Sequence, residues 1–376
     1  MRSHRVRNEK TASSRIYFPR HPRGKDIQVL INRRQFSMAA LTGSFLAGNR
    51  ISQAAAGKWR RGASMPYRTQ EIYPARLGTK IYVVGGLSPD FMDHRLGLSD
   101  QTLVYDIARN TWQTGPGFPE PSHHVNCIGY GGKLYAAGGF TLSNSGRWKM
   151  RQSLHVYDPA FPRSGWRQLT SMPLPQAESV LFASDGLLHL ISGRTPSSPG
   201  NDQWQDHTDT DRHQIYNVSG NNWMLGPNCP TPRNSAAGAT VDGNHYLIGG
   251  RTVSGGNVAD VTVLSGTGSS PGASDQAWRW ESLPSMPQAQ GGLAAAALNS
   301  KIYVFGGEYA SFFGNGVFSD TWCFDPSRQS WQPASPMPTP RHGLGAIAYD
   351  NEIFLLGGAR EAGAESTSDV VTLFEP

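Results

Sequence analysis

A seven-residue apolar segment that ends in glycine recurs six times along the 376-residue chain. Five of the six copies end in a Gly doublet, as in KIYVVGG and KLYAAGG, and their last residues are Gly86, Gly139, Gly193, Gly250, Gly307 and Gly358. The intervals between them are 53, 54, 57, 57 and 51 residues. A period of this length indicates one supersecondary unit per repeat. Two packed sheets of a sandwich would not explain it.

A tryptophan keeps the same period as the glycine segment. It stands at Trp59, Trp112, Trp166, Trp223, Trp280 and Trp331. Each interval also holds a small apolar run, a two-residue turn such as Asp185-Gly186, and an aromatic such as Tyr105 ahead of the tryptophan. Turns of this composition tolerate positive φ and close tight hairpins. Each repeat therefore predicts four antiparallel strands.

The order of Gly doublet, tyrosine and tryptophan resembles the kelch repeat from Trp59 to Pro376. This resemblance implies an all-β fold, a six-bladed kelch β-propeller in which each repeat is one wedge-shaped blade. Two repeats depart from the pattern. The third has Ser192-Gly193 in place of the doublet, and the fourth has Leu264 in place of the aromatic, followed by a Gly/Ser-rich insertion at 265–274.

The two ends of the repeat region complement each other. The last repeat stops at Leu373-Phe374, its third strand, and an unpaired fourth strand around Lys58-Trp59 precedes the first repeat. We expect the N-terminal strand of the mature chain to complete the last blade, because pairing hides the edges that both fragments would expose.

Residues 1–56 differ in character from the repeats. Arg33-Arg34 is followed by Phe36, a mildly apolar stretch at 39–48 and the small-residue run Ala54-Ala55-Ala56. This order resembles a twin-arginine export signal with cleavage near Ala56. A disordered basic tail is the alternative. We therefore expect a basic leader at 1–56, a propeller at 57–376, and a periplasmic or secreted protein.

Charge and apolar runs limit the partners. The chain has a net charge of +6, but 11 of its 34 Lys/Arg and 2 of its 28 Asp/Glu precede Gly57. Residues 57–376 hold 23 basic and 26 acidic residues, a net charge of −3. A nucleic-acid partner is not indicated, and no membrane span is expected after signal cleavage. We expect a monomer, with its three cysteines buried as small apolar side chains.

The resemblance also indicates where a ligand would bind. In kelch propellers the loops before each first strand and those after each Gly doublet emerge on one face, around the mouth of the central channel. The candidate ligand-binding residues on these loops are Arg68, Glu71, His123, His124, Glu178, Arg194, Arg233, Asn234, Arg251, Glu308, Arg341 and His342. The alternative for each of them is a structural role, hydrogen-bonded to neighbouring backbone.

The long loop between Arg194 and Tyr216 contains a possible set of metal ligands. His207, Asp209, Asp211 and His213 alternate there, so in an extended segment they would share one face. Solvated loop residues are the favoured interpretation, because ligands so close together seldom encircle an ion without a glycine-turned loop. No metal is therefore predicted. No dinucleotide or P-loop fingerprint follows a strand, so no cofactor is predicted either.

The resemblance leaves three functions open. The favoured one is a binding protein that recognises a carbohydrate or protein partner at the polar mouth. The alternative is a sugar mutarotase or epimerase acting on a sialic-acid-like substrate, with Glu178, Glu308, Arg233 and Arg251 as chemically suitable acid and base groups. The second alternative is a copper enzyme of the galactose oxidase type, although the tyrosine motif of that site is not recognisable here.

Overall fold

The computed structural model describes residues 57–91, 97–266, 278–311, 314–363 and 365–376. The predicted leader with its twin-arginine segment, and most of the insertion at 265–274, lie outside the described residues. The described regular structure is β-strand apart from two 3-10 turns, Pro162–Ser164 and Trp204–Asp206. The all-β prediction is confirmed. In these ranges, no helix has the length and apolarity to cross a bilayer.

Within the described residues, six antiparallel sheets have four strands each, and we number them sheet 1 to sheet 6 along the repeats. From first to fourth strand, sheet 1 has Ala75–Leu77, Lys80–Val84, Thr102–Asp106 and Thr111–Thr114, and sheet 2 has Asn126–Tyr130, Lys133–Ala137, Leu154–Tyr157 and Trp166–Gln168. Sheet 3 has Val180–Ser184, Leu187–Ile191, His213–Asn217 and Asn222–Leu225, and sheet 4 has Ala237–Val241, Asn244–Ile248, Val261–Ser265 and Arg279–Leu283. Sheet 5 has Ala294–Leu298, Lys301–Phe305, Thr321–Asp325 and Ser330–Ala334, and sheet 6 has Gly345–Tyr349, Glu352–Leu356, Val371–Glu375 and Lys58–Arg61.

Short strands in the connecting loops form smaller sheets. One has three strands, and three are two-stranded hairpins that follow the glycine segments of repeats 3, 4 and 5. These strands are Ser122–His123, Phe140–Thr141 and Lys149–Met150; Arg194–Pro196 and His207–Asp209; Arg251–Thr252 and Gly256–Asn257; Glu308–Ser311 and Gly314–Val317.

Local sequence accounts for the hairpins and for the Gly doublets. Asp185 and Gly186 have φ of 51° and 80°, and they join the first and second strands of sheet 3 as the tight turn requires. In the doublet of repeat 2, Gly138 has φ of 60°, and a Cβ on it would lie 2.1 Å from the carbonyl oxygen of Gln176 in the next repeat. Glycine is required there because the backbone of one repeat approaches that of the next.

The recurring tryptophans join each sheet to its neighbour. The indole Nε1 of Trp223 in sheet 3 donates to the carbonyl oxygen of Thr170, which follows sheet 2, at 2.8 Å. The bond from Trp112 in sheet 1 to the Ala63 carbonyl oxygen, 2.9 Å long, makes the equivalent connection to the segment after Lys58–Arg61. A buried indole that still finds an acceptor can contribute both apolar area and a satisfied donor.

Six clusters of buried apolar side chains fill the spaces between consecutive sheets. One of them lies between sheets 1 and 6, where Ile81 and Tyr105 pack with Phe354 and Leu373. The strand Lys58–Arg61 pairs antiparallel with Val371–Glu375. The three cysteines are free and buried, as predicted. These contacts bring the loops that precede the first strands together on one side of the sheets.

Candidate functional site

The loop before the first strand of each sheet, here called the entry loop, contains one residue with a left-handed backbone. These six equivalent residues are Glu71, His124, Glu178, Ser235, Gly292 and Gly343, with φ of 57°, 53°, 50°, 49°, 68° and 57°. Glycine adopts this conformation easily, whereas other residues lose about 1–2 kcal/mol. In four of the six entry loops this residue is not glycine, so the backbone there is strained. Strained backbone of this kind clusters at functional sites.

Backbone hydrogen bonds connect these equivalent positions from one repeat to the next. The Glu71 amide donates to the Gly343 carbonyl oxygen at 2.7 Å, and the His124 amide donates to the Glu71 carbonyl oxygen at 2.9 Å. The Ser235 amide bonds to the Glu178 carbonyl oxygen at 3.0 Å. The side chains of these residues are therefore held near one another, although they come from different repeats.

The residue after each glycine segment reaches the same region. Arg194 forms a backbone bridge with Ala177, and Arg251 forms one with Asn234. Glu308 bridges in the same way to the entry loop of repeat 5. Since these residues start the loop hairpins, their side chains join those of the entry loops.

Seven of the predicted residues form one chain of charged contacts, here called the mouth network: Glu71, His124, Glu178, Arg194, Arg251, Glu308 and His342. One half runs through Glu71. Its Oε2 lies 2.8 Å from Nε2 of His124, and its Oε1 lies 3.7 Å from Nδ1 of His342. His342 in turn places Nε2 3.7 Å from Oε2 of Glu308.

The other half of the mouth network runs through Arg251. Its guanidinium pairs with Glu308 through Nη1 and lies 3.7 Å from Oε2 of Glu178 through Nη2. The Oε1 of Glu178 lies 3.6 Å from Nη1 of Arg194, and its Oε2 accepts a 2.6 Å bond from the Ser235 hydroxyl. Asn234, also predicted, accepts from Nε of Arg251 at 3.2 Å.

A pair of histidines determines where a proton lies in this network. Nε2 of His123 lies 2.9 Å from the Arg147 carbonyl oxygen, which can only accept, so this nitrogen carries the proton. Nδ1 of a neutral His123 must then accept from Nδ1 of His124, 2.7 Å away. With Nδ1 of His124 donating to His123, its Nε2 lies 2.8 Å from the Glu71 carboxylate.

Charges of both signs determine the ionisation of the buried groups. Burial alone would raise the pKa of Glu71, but the neighbouring cations, His124 first, lower it well below its ordinary value. Burial would also raise the pKa of Glu178, and the surrounding cations outweigh burial there too. Burial would lower the pKa of Arg251, whereas Glu178 and Glu308 raise it. Glu71, Glu178 and Arg251 are therefore ionised at neutral pH.

Several buried polar atoms of the network have no hydrogen-bond partner among the described residues. They include Oε1 of Glu178, Nε and Nη1 of Arg194, and Nδ1 of His342. Glu178 is 1% exposed and Arg194 is fully buried. Unsatisfied buried polar atoms are costly in a native protein, and their concentration here favours a site whose partner is a ligand.

A cavity of about 510 Å³ opens beside the network. Glu71, His124, Glu178, Arg251 and Glu308 line it. Aromatic side chains line it as well. Trp148 and Trp204, with ring centroids 4.7 Å apart, both line the cavity, and the Arg194 guanidinium lies 3.3 Å from the centroid of the Trp204 ring. The cavity therefore combines charged hydrogen-bonding groups with an apolar ring surface.

The remaining predicted site residues do not line this cavity. Arg68 is exposed and pairs with Asp90. His123 orients His124, as described above. Arg233 and Arg341 are fully buried and bond within their own sheets. Arg341, for example, donates to the carbonyl oxygens of Gly357 and Val370, so its guanidinium holds strands together rather than facing a ligand.

The alternating residues of the 194–216 loop separate into different environments. His207 bonds to Asn201 through Nε2, and His213 bonds to His189 through Nε2. Asp209 accepts from Asn234. In the part of the chain that the structure describes, no group of three or more His, Cys, Asp or Glu is arranged to hold a metal ion.

Arg147 and Trp148 also line the cavity, although neither is among the residues predicted from the sequence. Both lie in the loop after the glycine segment of repeat 2. This loop was a usable signal, since the equivalent loops of repeats 3 to 5 supplied Arg194, Arg251 and Glu308. Those three residues directly follow the glycine segment, whereas Arg147 and Trp148 lie several residues further along the loop.

Comparisons with known proteins agree with this architecture. Residues 181–373 match the model of the KLHDC2/KLHL20/DRC7 Kelch-repeats domain. The chain is 30% identical over 314 residues to the Kelch-like protein terF of Aspergillus terreus, covering 82% of this chain and 65% of that protein. It is 26% identical over 257 residues to the human Kelch-like protein 15, covering 65% of this chain and 39% of that protein.

A solved structure titled "Structure of YjhT" superposes with a TM-score of 0.67 at 16% identity, covering 82% of this chain and 98% of the other. At that identity the likeness concerns the fold. The chain spans less than two thirds of the length of the two kelch-like relatives. A family model that matches half of the chain, together with the superposition, places the chain in the kelch-repeat family, with the fold of a kelch β-propeller.

Proposed function

We propose that the cavity beside the mouth network binds a carbohydrate or protein partner, with a carbohydrate as the better fit. The observation that carries the proposal is Glu178, a 1% exposed carboxylate that lines the cavity. Its Oε1 accepts no hydrogen bond from the described residues, although Nη1 of Arg194 lies 3.6 Å away. Membership of the kelch family supports a binding role in general, and fold alone names no ligand.

The chemistry of the cavity lining favours a sugar. Hydroxyl groups both donate and accept hydrogen bonds, so they can bond to carboxylates and guanidinium groups that alternate around one cavity. The exposed face of Trp204 offers an apolar surface of the size of a sugar ring, and the side chain is 38% exposed. A cavity of about 510 Å³ accommodates a small oligosaccharide unit.

The test is a glycan array on the full chain, followed by calorimetric titration of the glycans that bind. We expect Glu178→Gln to weaken binding by about tenfold or more, because hydrogen bonds to a charged group contribute strongly. Arg109→Gln is the matched control, since Arg109 is exposed in a turn and pairs with Asp106. Glycan binding that Glu178→Gln leaves unchanged would place the ligand elsewhere.

A protein partner is the other form of this proposal. Val253 and Tyr309 are 44% and 40% exposed, and both belong to loops that follow glycine segments. An exposed apolar rim around a polar centre is common at protein interfaces. A peptide library tests this form. If peptides bind, no glycan binds, and Glu178→Gln weakens the peptide binding, the partner is a protein.

We propose sugar mutarotation as the alternative function, on the basis of one specific observation. The His124 imidazole and the Glu71 carboxylate, 2.8 Å apart, line the same cavity as the Glu178 carboxylate, so candidate acid and base groups lie together. A sialic-acid-like sugar is the substrate class to try first. Anomer exchange measured by NMR should then be faster with the protein than without it, and His124→Gln should abolish the acceleration.

Two structural proposals accompany this function. We propose that the six four-stranded sheets are six blades of one closed ring, with Lys58–Arg61 as the closing strand. The apolar cluster between sheets 1 and 6 supports this arrangement.

We also propose export through the Arg33-Arg34 signal to the periplasm or the exterior. Replacing both arginines with lysine should retain the protein in the cytoplasm if the signal is read by the twin-arginine route.

A further inference from the structure

Arg147 is a cation beside the cavity with no carboxylate partner among the described residues. Its side chain is half-buried, lines the cavity, and stacks over Trp148 with its guanidinium carbon 5.6 Å from the ring centroid. Burial lowers its pKa, and no acidic neighbour opposes that effect. A half-buried guanidinium without a counter-ion is costly, so this position favours a negative charge supplied from outside the protein.

Every carboxylate of the mouth network already has a basic side chain beside it. Glu71 contacts His124, Glu178 contacts Arg194, and Glu308 contacts Arg251. None of these three carboxylates pairs with Arg147.

One further carboxylate near the cavity does not pair with Arg147 either. Asp209 accepts bonds from the Asn234 side chain and from the Val253 amide. Among the described residues, Arg147 is therefore a cavity-lining cation that no carboxylate pairs with.

Each of the two tryptophans that line the cavity has a guanidinium group over its ring. Arg194 lies against Trp204, and Arg147 lies over Trp148. A second cation on the open face of either ring would meet this charge, whereas the C–H face of a sugar or an anionic group would not. The same loops therefore disfavour a cationic ligand and favour one that combines an apolar ring face with a negative group.

We propose that Arg147 and the two tryptophans form an anion-recognising subsite, and that the ligand of the mouth is an acidic sugar whose carboxylate pairs with Arg147. The inference rests on the proposed function and deepens it. The Arg147 fork presents two parallel donors to a carboxylate. The ring of the sugar packs on Trp204, and its hydroxyl groups reach the carboxylates of Glu71, Glu178 and Glu308.

The test compares ligands that differ only in charge. D-galacturonate and D-glucuronate are titrated calorimetrically into the full chain at low ionic strength, each beside its uncharged amide. We expect the acids to bind about tenfold more tightly than the amides, which is the contribution of a hydrogen-bonded charge pair. In Arg147→Gln the acid and the amide should bind within about twofold of each other. Arg109→Gln, the exposed control, should retain the full preference.

The possible results separate this inference from the proposed function. Equal binding of acid and amide to the unmodified protein, with both weakened by Glu178→Gln, would overturn the subsite and leave the carbohydrate proposal standing. Binding of neither form would overturn both. A preference for peptides with a free over an amidated C-terminus, lost in Arg147→Gln, would keep the anion subsite and overturn its assignment to a sugar.

Discussion

The Trp59 indole packs against the Phe374 ring with centroids 4.8 Å apart, and the two residues are register partners in antiparallel strands. One belongs to the first described strand of the chain and the other to the last. Trp59 also contacts Phe305 of sheet 5 and donates to the Ser335 carbonyl oxygen at 3.2 Å. This single side chain therefore connects the two ends of the repeat region and the neighbouring sheet.

We expect Trp59→Ala to lower the free energy of unfolding by about 2–4 kcal/mol, because it removes half-buried aromatic contacts and one hydrogen bond. Denaturant unfolding followed by fluorescence measures the change. Arg61→Ala, an exposed residue of the same strand, is the control and should stay within about 0.5 kcal/mol of the unmodified protein. Equal losses in both variants would mean that the strand contributes through its backbone alone.

The left-handed conformation of Ser235 predicts an unusual order of stability. Both Ser235→Ala and Ser235→Gly remove the hydroxyl that bonds to Glu178. The φ of 49° at this position disfavours alanine and suits glycine, so the glycine variant should be more stable than the alanine variant by about 1 kcal/mol. Chemical denaturation of the pair measures this difference. An alanine variant as stable as the glycine variant would contradict the backbone conformation.

The buried Arg341 predicts a loss of stability rather than of binding. Its guanidinium donates to two carbonyl oxygens and, through Nη2, to the Thr372 hydroxyl at 2.8 Å. Arg341→Lys cannot reproduce this fork, so we expect a loss of about 2–4 kcal/mol in unfolding free energy. Ligand affinity measured well below the melting temperature should be unchanged. A selective loss of affinity in a variant of normal stability would place Arg341 in the binding site.

A buried histidine cluster predicts that stability falls in mild acid. Burial lowers the pKa of His189 to about 2, that of His213 to about 3 and that of His245 to about 4. Since these folded-state values lie below the unfolded value of about 6.5, the unfolded chain binds more protons as the pH falls below 6.5. Each histidine then adds a slope of up to about 1.4 kcal/mol per pH unit.

His189→Gln tests this dependence by removing one titrating group from the cluster. The unfolding free energy, measured between pH 6.5 and 4.5, should fall less steeply with acidification in the variant than in the unmodified protein. Above pH 7 both should be nearly independent of pH. Parallel curves throughout the acid range would show that His189 is protonated in the folded protein.

Repeat period and turn chemistry were sufficient to predict the sheets. The strands of sheet 5, for example, follow from an alanine run, a glycine-terminated apolar run and the Phe324 and Trp331 markers, all of which are local patterns. Glu71, His124 and Glu178 could be predicted as neighbours because they occupy equivalent positions on the entry loops. Equivalent positions in successive repeats occupy equivalent places in space.

The different roles of Arg341 and Arg251 could not be predicted from the sequence. Both lie on loops where a ligand was expected. Arg341 donates to backbone carbonyl oxygens, whereas Arg251 pairs with two carboxylates beside the cavity. A side chain's partners depend on which groups other repeats place within its reach. Sequence spacing within one repeat does not contain that information.

The sequence by itself determined the period, the four-stranded unit and the glycines that allow neighbouring repeats to approach, since these depend on local backbone preference and on apolar pattern. Only the tertiary structure decided which polar residues are structural and which face the cavity. Only it showed that Arg147 remains without a carboxylate partner among the described residues. Charge balance is a property of groups brought together from separate loops, and it becomes visible when their distances are known.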